Sequence, residues 1–399
     1  MSPPGRLQGE HRSAQHEGTS ASSVFIGLMS GTSIDGVDGV IADLAANHPG
    51  AAASLRILAH AHADFPAGLR RELLALNLSS ADEIHRGALA ANALARSYAA
   101  VVESLLARAS LDRRLVAAIG CHGQTVRHRP KEFDGTGYTV QLNAPALLAE
   151  LTGIDVVADF RSRDVAAHGQ GAPLAPAFHR ALFARPGHAA AVLNLGGIAN
   201  LTAIGADGTT LGFDCGPGNT LLDRWCVANT GRSFDAAGAW AASGRVDTRL
   251  LDALLSEPYF AVPAPKSTGR DLFDEAWLEA RLAAADARQR LKPEDIQATL
   301  AELSARTSAA AAQAYAPEAA EVIVCGGGAR NLDLMSRIGA LVAPARVVTS
   351  TERGLPVDQV EAAAFAWLAR AFVRREPGNI DTVTGADGPR ILGALYPAD

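Results

Sequence analysis

Twice along this chain an apolar run stops at a glycine-bearing turn and resumes at once as a second apolar run. The first instance is Val24-Phe25-Ile26-Gly27-Leu28, the polar stretch 29–38, then Gly39-Val40-Ile41-Ala42-Asp43-Leu44. The second is Ala190-Ala191-Val192-Leu193-Asn194-Leu195, the turn Gly196-Gly197, then the run 198–204. Short apolar runs bounded by turn residues read as buried strands. Each instance therefore predicts a strand pair, with a third strand following at 54–60 and at 211–213. A long helical pattern comes next in both halves, at 81–109 and 296–315. Each half then returns to a short buried strand, 116–121 or 322–325, that ends in polar or glycine-rich residues. Further strands are expected at 138–142 and 154–160. No residue-level repeat accompanies this order, so a coincidental echo of two α/β domains stays open. If it is a duplication, the two halves face each other across a cleft with ligand loops at the strand ends.

Composition narrows the classes of function. The 399 residues suffice for two or three domains. They are 48% hydrophobic and 20% charged, with a net charge of −6, which argues against a nucleic-acid surface. The one short basic patch, Lys266 to Arg270, reads as solvated surface. Cys121, Cys215, Cys226 and Cys325 show no Cys-x-x-Cys pairing, which points to reduced thiols in a cytoplasmic protein. No apolar run reaches the length of a membrane span. Residues 1–22 are polar and read as a disordered extension.

Chemistry concentrates at the strand ends. In the first turn Gly31 and Gly36 permit close backbone, Thr32 and Ser33 supply donors, and Asp35 and Asp38 supply carboxylates. That mixture suits the phosphates of a nucleotide and its Mg²⁺; an ordinary turn chosen for backbone reasons fits equally. Gly196-Gly197 and Gly326-Gly327-Gly328 occupy corresponding places, and three such turns favour backbone approaching a nucleotide from both halves. Neither a P-loop nor a dinucleotide fingerprint is present. Asp214, in Phe213-Asp214-Cys215-Gly216-Pro217-Gly218-Asn219, is expected to end a strand and to serve either as a general base or as a turn former. The cluster Asp159-Phe160-Arg161-Ser162-Arg163-Asp164 offers an anion site or an internal ion-pair network. His122 and Gln124 follow a strand, and Glu361 opens a helix expected at 358–373.

Eight segments in consistent order resemble the anhydro-N-acetylmuramic acid kinases, a family of bacterial sugar kinases in the hexokinase–actin-like superfamily. They are 27–38, 120–128, 159–179, 194–202, 213–219, 263–273, 325–331 and 360–369. The resemblance implies a two-lobed, duplicated actin-like ATPase (ribonuclease H-like) α/β fold with a central nucleotide cleft. The expected division is an N-terminal lobe over 23–165, completed by residues 380–399, and a C-terminal lobe over 166–379. It further implies ATP and Mg²⁺ as cofactors. The implied activity is ring opening of 1,6-anhydro-N-acetylmuramate with phosphorylation at O6, in cytoplasmic peptidoglycan recycling by a homodimer.

By motif position, Asp214 matches the catalytic base. Gly31, Thr32, Ser33, Ile34, Asp35, Gly36, Val37 and Asp38 match the ATP-phosphate loop, with Asp35 a candidate Mg²⁺ contact. Gly196, Gly197, Gly326, Gly327, Gly328 and Asn331 are assigned to the nucleotide. Glu361 matches an acidic residue near the sugar, and His122, Gln124 and Asp164 are assigned as further sugar contacts. His168 stands where the family usually has glycine. Rival readings are a kinase of another sugar hydroxyl and an actin-like ATP-binding regulator.

Overall fold

The computed structural model describes residues 22–31, 33–45, 55–268 and 272–399. The extension expected over 1–22 thus lies outside the described residues except for Ser22. Two sheets carry the fold. The first contains β1 (Val24–Met29), β2 (Gly36–Asp43), β3 (Arg56–Asp64) and β4 (Val116–Cys121). A separate hairpin, β5 (Gln124–Pro130) and β6 (Gly137–Leu142), follows before β7 (Val156–Ala158) rejoins the sheet. The second sheet contains β8 (Ala190–Leu195), β9 (Ile198–Ile204), β10 (Thr210–Pro217), β11 (Glu321–Cys325) and β12 (Arg346–Thr349). A final strand, β13 (Ala394–Tyr396), pairs antiparallel with β7 at the edge of the first sheet.

The strand order is β13-β7-β4-β1-β2-β3 in one sheet and β10-β9-β8-β11-β12 in the other. In each, three antiparallel strands form a meander, and a fourth strand returns parallel to the first. A fifth lies parallel to the fourth. The shared third-second-first-fourth-fifth order makes the duplication real at the level of topology and agrees with the two-lobed, duplicated α/β fold expected from the resemblance. Between Thr220 and Tyr315 the second half carries an added helical layer, whose core includes Leu221, Trp225, Leu250, Phe273 and Leu300.

The helix Val360–Val373 falls in the stretch expected to belong to the second lobe, yet it lies directly on the first sheet. Two glycines make that possible. A Cβ at Gly27 of β1 would sit 1.8 Å from the Ala362 carbonyl oxygen, and one at Gly120 of β4 would sit 2.0 Å from the Phe365 carbonyl oxygen. The helix side chains Phe365, Trp367 and Leu368 join a core that also holds Phe25 and Val40 from one sheet and Val192 and Ile323 from the other. Burying each such large side chain contributes about 1.5–3 kcal/mol.

Several boundaries differ from expectation. The third strand starts at Arg56 and extends to Asp64, because His60 and His62 find a partner across the ladder in Asp38. The strand expected over 154–160 shrinks to Val156–Ala158, since Asp159 turns the chain with φ 59°. Asp214 does not end its strand. β10 continues to Pro217, and a bulge between Asp214 and Gly216 slips the register against β9.

Candidate active site

The turn joining β1 and β2 is held tightly. The Ile34 N–H donates to the Gly31 carbonyl at 3.2 Å. Ile34 itself sits at φ 51° although β-branched, a strained state. Its side chain is buried beside Ile26, Leu28 and Val37, and its carbonyl accepts from Arg70 Nε at 3.0 Å. Anchors on both sides of the residue hold that strain in place. Ser33 and Asp35 point to solvent, with Ser33 Oγ donating to Asp35 Oδ1 at 2.7 Å. Thr32 lies outside the described residues.

Within this stretch, the side chains of Ile34 and Val37 are core and can offer a nucleotide only their backbone. Gly36 answers to the neighbouring strand, where a Cβ would meet the Ala63 carbonyl oxygen at 2.4 Å. Gln124, expected as a sugar contact, instead buttresses the turn. Its Oε1 accepts from Ser30 Oγ and its Nε2 donates to the Gly31 carbonyl at 3.2 Å.

Asp38 faces His60 Nε2 at 3.3 Å and His62 Nδ1 at 3.0 Å, and His62 Nε2 lies 3.2 Å from Asp64. Burial works to raise the Asp38 carboxyl, but the two imidazoles outweigh it and hold the group below the ordinary carboxylate range. His62 is half-exposed; burial lowers it, and Asp38 and Asp64 prevail to raise it. The sequence reading missed both histidines, although their i, i+2 spacing on a strand opposite an aspartate was a visible signal.

In the second half, the Gly196 and Gly197 carbonyls are taken by the N–H groups of Asn219, Gly218 and Thr220 at 2.9–3.1 Å. This closes the strand 210–217 and the helix after it onto the turn. The Gly326 N–H donates to the Val357 carbonyl at 3.0 Å, and its φ of 78° lets the chain pass Asn194. Gly327 is exposed, and an added Cβ there would meet nothing within 4 Å. Asn331 caps the helix Leu332–Val342, its Oδ1 accepting from the Leu334 N–H at 3.0 Å, so that oxygen is committed to the fold.

Glu361 is solvent-accessible yet enclosed by surrounding protein. Burial, then the nearby Asp38 charge, raise its carboxyl; Arg161 and Asn194 pull it the other way without prevailing. Its surroundings thus come from the first sheet, the second sheet and the segment after β7. Arg161 bridges onward, with Nε and Nη2 at 3.1 and 2.9 Å from His122 Nε2 and Nη1 donating to the Gly171 carbonyl. Burial brings Arg161 down to about 10. Burial and then the Arg161 charge push His122 down to about 3, so its imidazole is neutral with Nε2 as acceptor. His122 also borders a pocket of about 230 Å³ lined in part by β6 residues 139–141, with Asn143, Asp159 and Tyr396 among its other walls. Neither Asp214 nor the three glycine turns line it.

Asp164 is a correction. It is fully buried, and both oxygens are occupied by internal donors: Oδ2 by the Gly171 N–H at 2.7 Å, Oδ1 by Asn379 Nδ2 at 2.6 Å and Thr384 Oγ1 at 2.7 Å. It ties the 161–171 segment to residues 379–384 and presents nothing to a sugar. His168, beside this segment, adopts φ 62° and meets Asp387 at 2.7 Å, so the turn keeps a glycine-like backbone with histidine in place.

Asp214 stands on the outer edge of the second sheet. Its Oδ2 accepts from Ser267 Oγ at 3.1 Å and from the Thr268 N–H at 2.9 Å. Burial raises its carboxyl and these two donors oppose the shift without cancelling it. A largely enclosed carboxylate with a raised pKa is suited to accept a proton. Ser267 and Thr268 were not singled out from sequence, where they looked like part of a surface patch.

Residues 23–398 match the model of a protein family described as anhydro-N-acetylmuramic acid kinase. A protein of that name from Albidiferax ferrireducens is 56% identical over 397 residues, spanning 94% of this chain and 100% of the relative. Another from Variovorax paradoxus is 58% identical over 383 residues, spanning 95% and 100%. Solved structures are more distant. An activator of the 2-hydroxyisocaproyl-CoA dehydratase from Clostridium difficile with bound ADPNP has a TM-score of 0.43 at 13% identity, over 88% of this chain and 96% of that one. A ROK family glucokinase from Streptomyces griseus in complex with glucose and AMPPNP has a TM-score of 0.40 at 14% identity, over 87% and 99%.

Proposed function

The chain belongs to the anhydro-N-acetylmuramic acid kinase family, and from this premise we propose that it joins ATP, water and 1,6-anhydro-N-acetylmuramate to give N-acetylmuramate 6-phosphate and ADP. The observation that carries the assignment of roles is Asp214, an enclosed carboxylate whose described hydrogen bonds fall on Oδ2 alone. In this reading Asp214 takes a proton from water as the water oxygen bonds to C1. The C1–O6 bond breaks, O6 bonds to the γ-phosphorus of ATP, and ADP leaves. Capture of O6 by the phosphoryl group replaces the acid that an inverting glycosidase supplies to its leaving oxygen. One carboxylate then suffices.

The residues present fit a nucleotide phosphate. At Gly31 an added Cβ would meet nothing nearer than Ser33 Oγ at 3.9 Å, and at Gly196 nothing nearer than the Ile198 carbonyl at 3.5 Å. With the open Gly327, these are backbone surfaces that phosphate oxygens can approach. Among the described residues no group of three or more histidine, cysteine or acidic side chains is arranged to hold a metal. Mg²⁺ would therefore be held by the phosphates with one carboxylate, for which the exposed Asp35 is suited, and when bound it neutralises charge at the transferred phosphoryl group. Glu361 and His122 are assigned to the sugar side.

In this reading the first lobe comprises 23–165 with 380–399, the second 166–379, and the working unit is a cytoplasmic homodimer active in peptidoglycan recycling. The β13–β7 pairing supports the return of the chain to the first lobe. The four cysteines, buried and unpaired, agree with a reducing compartment. Among the described residues no helix is long and apolar enough to cross a membrane.

The test is a kinase assay on 1,6-anhydro-N-acetylmuramate in ¹⁸O-labelled water, with the product identified by mass. ADP release with one labelled oxygen at C1 is expected. Phosphorylation without label would assign the protein to an ordinary hydroxyl instead, and no ADP release with this sugar would end the proposal.

A further inference from the structure

Residues 266–268 look like solvated surface in the sequence, yet in the fold they turn inward on Asp214. β10 is an edge strand, and at Asp214 its outward backbone groups find partners outside the sheet. The Asp214 N–H donates to the Lys266 carbonyl at 3.1 Å, and the Tyr259 hydroxyl donates to the Asp214 carbonyl at 2.8 Å. Lys266 does not reach outward as a phosphate ligand would. Its Nζ donates to the carbonyls of Tyr259 and Phe260 at 3.0 and 3.2 Å and lies 4.6 Å from the centre of the Tyr259 ring. Tyr259 thus grips both Asp214 and the lysine that heads the next two residues. Those residues supply the Ser267 hydroxyl and the Thr268 N–H, both directed at Oδ2.

We propose that residues 266–268 are a positioning element for the base: Ser267 and Thr268 hold Oδ2 of Asp214, which leaves Oδ1 to meet the nucleophilic water, and Lys266 laid on Tyr259 fixes the segment. The proposal rests on Asp214 being the base. Two donors on one oxygen set the plane of the carboxylate, because a carboxylate can rotate about its Cβ–Cγ bond until both lone-pair demands are met. They also favour the ionised form that an enclosed site disfavours. The bulge beside Asp214 makes such fixing necessary, since the regular ladder is interrupted there. Among the described residues the titratable side chains that feel the Asp214 charge are Cys215 and Tyr259, whereas Lys266 meets Asp214 through its backbone carbonyl and turns its Nζ to the Tyr259 and Phe260 carbonyls. None of these carries the hydrogen bonds to Oδ2.

The experiment measures kcat and KM for sugar and ATP against pH in Ser267→Ala, Ser267→Thr, Lys266→Met and Asp214→Asn. A hydrogen bond to a charged group is worth about 1.5 kcal/mol or more, so losing one costs about tenfold at the least. Ser267→Ala is therefore expected to lose about tenfold in kcat, with both KM values nearly unchanged. The acid limb of its kcat profile should move to higher pH by about one unit, and Ser267→Thr should restore it. Lys266→Met, which keeps both donors but loosens their segment, should move the limb in the same direction. Inactive Asp214→Asn beside a Ser267→Ala enzyme with wild-type kcat and acid limb would overturn the positioning role. Should Ser267→Ala fail to fold, an unmoved limb in Lys266→Met would overturn it. An active Asp214→Asn would instead overturn the base assignment beneath it.

Discussion

Adding one methyl group at Gly27 should unseat the helix that carries Glu361. In Gly27→Ala the new Cβ would lie 1.8 Å from the Ala362 carbonyl oxygen and 2.6 Å from the Ala366 nitrogen. Both are backbone atoms inside a helix, so neither can swing aside as a side-chain tip could. To restore ordinary contact at about 3.5 Å, the helix must retreat by roughly 1.7 Å. That movement opens its contacts with Phe25, Ala118 and the rest of the shared core. Overpacking usually costs about 1–3 kcal/mol, and rigid backbone on the receiving side puts this case at the upper end, ~3 kcal/mol. Gly68→Ala is the control. It lies in the helix Ala67–Ala75 with nothing within 4 Å of the new methyl, and should stabilise by about 0.5–1 kcal/mol. Urea midpoints followed by tryptophan fluorescence read both variants, Trp367 itself lying in the displaced helix. Turnover of Gly27→Ala should fall further than its folded fraction, because Glu361 moves with the helix. A Gly27→Ala midpoint at or above wild type, with Gly68→Ala raised as expected, would refute the close-packing argument.

Asp164→Asn should lower the unfolding free energy read from urea melts by about 1–3 kcal/mol by weakening its three internal hydrogen bonds, while sugar KM stays near wild type; a KM effect without a stability loss would return Asp164 to the sugar site. His179 is buried and held down to about 4, so its neutral form stabilises the fold fully above its unfolded value of 6.5, and that contribution disappears as pH falls toward 4. His179→Gln should therefore flatten the loss of stability between pH 6.5 and 4, and an unchanged slope in urea midpoints would sink this account. Glu361→Gln removes a carboxylate raised by burial and by Asp38. It should melt higher than wild type at pH 7, with the gain shrinking as pH falls toward 4.5, while sugar turnover drops; equal melting at pH 7 would count against the crowding.

The architecture was legible because strands and glycine turns leave local marks. Both meanders, both long helices and the strands after them follow from apolar periodicity alone. What local sequence could not supply was the identity of neighbours distant in the chain. Gln124 and Asp164 have the right residue types and stand beside strand ends, yet their polar atoms are spent on Ser30, Gly31, Asn379 and Thr384. The same blindness worked in reverse at Ser267 and Thr268, 53 and 54 residues beyond the aspartate they hold. Arg161 was visible as a candidate anion ligand, but its engagement with His122 depends on β4 and the segment after β7 ending side by side.

The pairing of β13 with β7 also sets a timetable for synthesis. At about 5–20 residues per second, the roughly 240 residues between these strands occupy a ribosome for ~10–50 s. Until β13 has been made, the outer side of β7 lacks the strand that covers it in the finished fold, so its outward N–H and C=O groups stay open to any extended segment nearby. The whole second lobe emerges while this margin waits. A chain stalled before residue 394 would lack the strand that closes this edge and would leave β7 open to pairing with another chain.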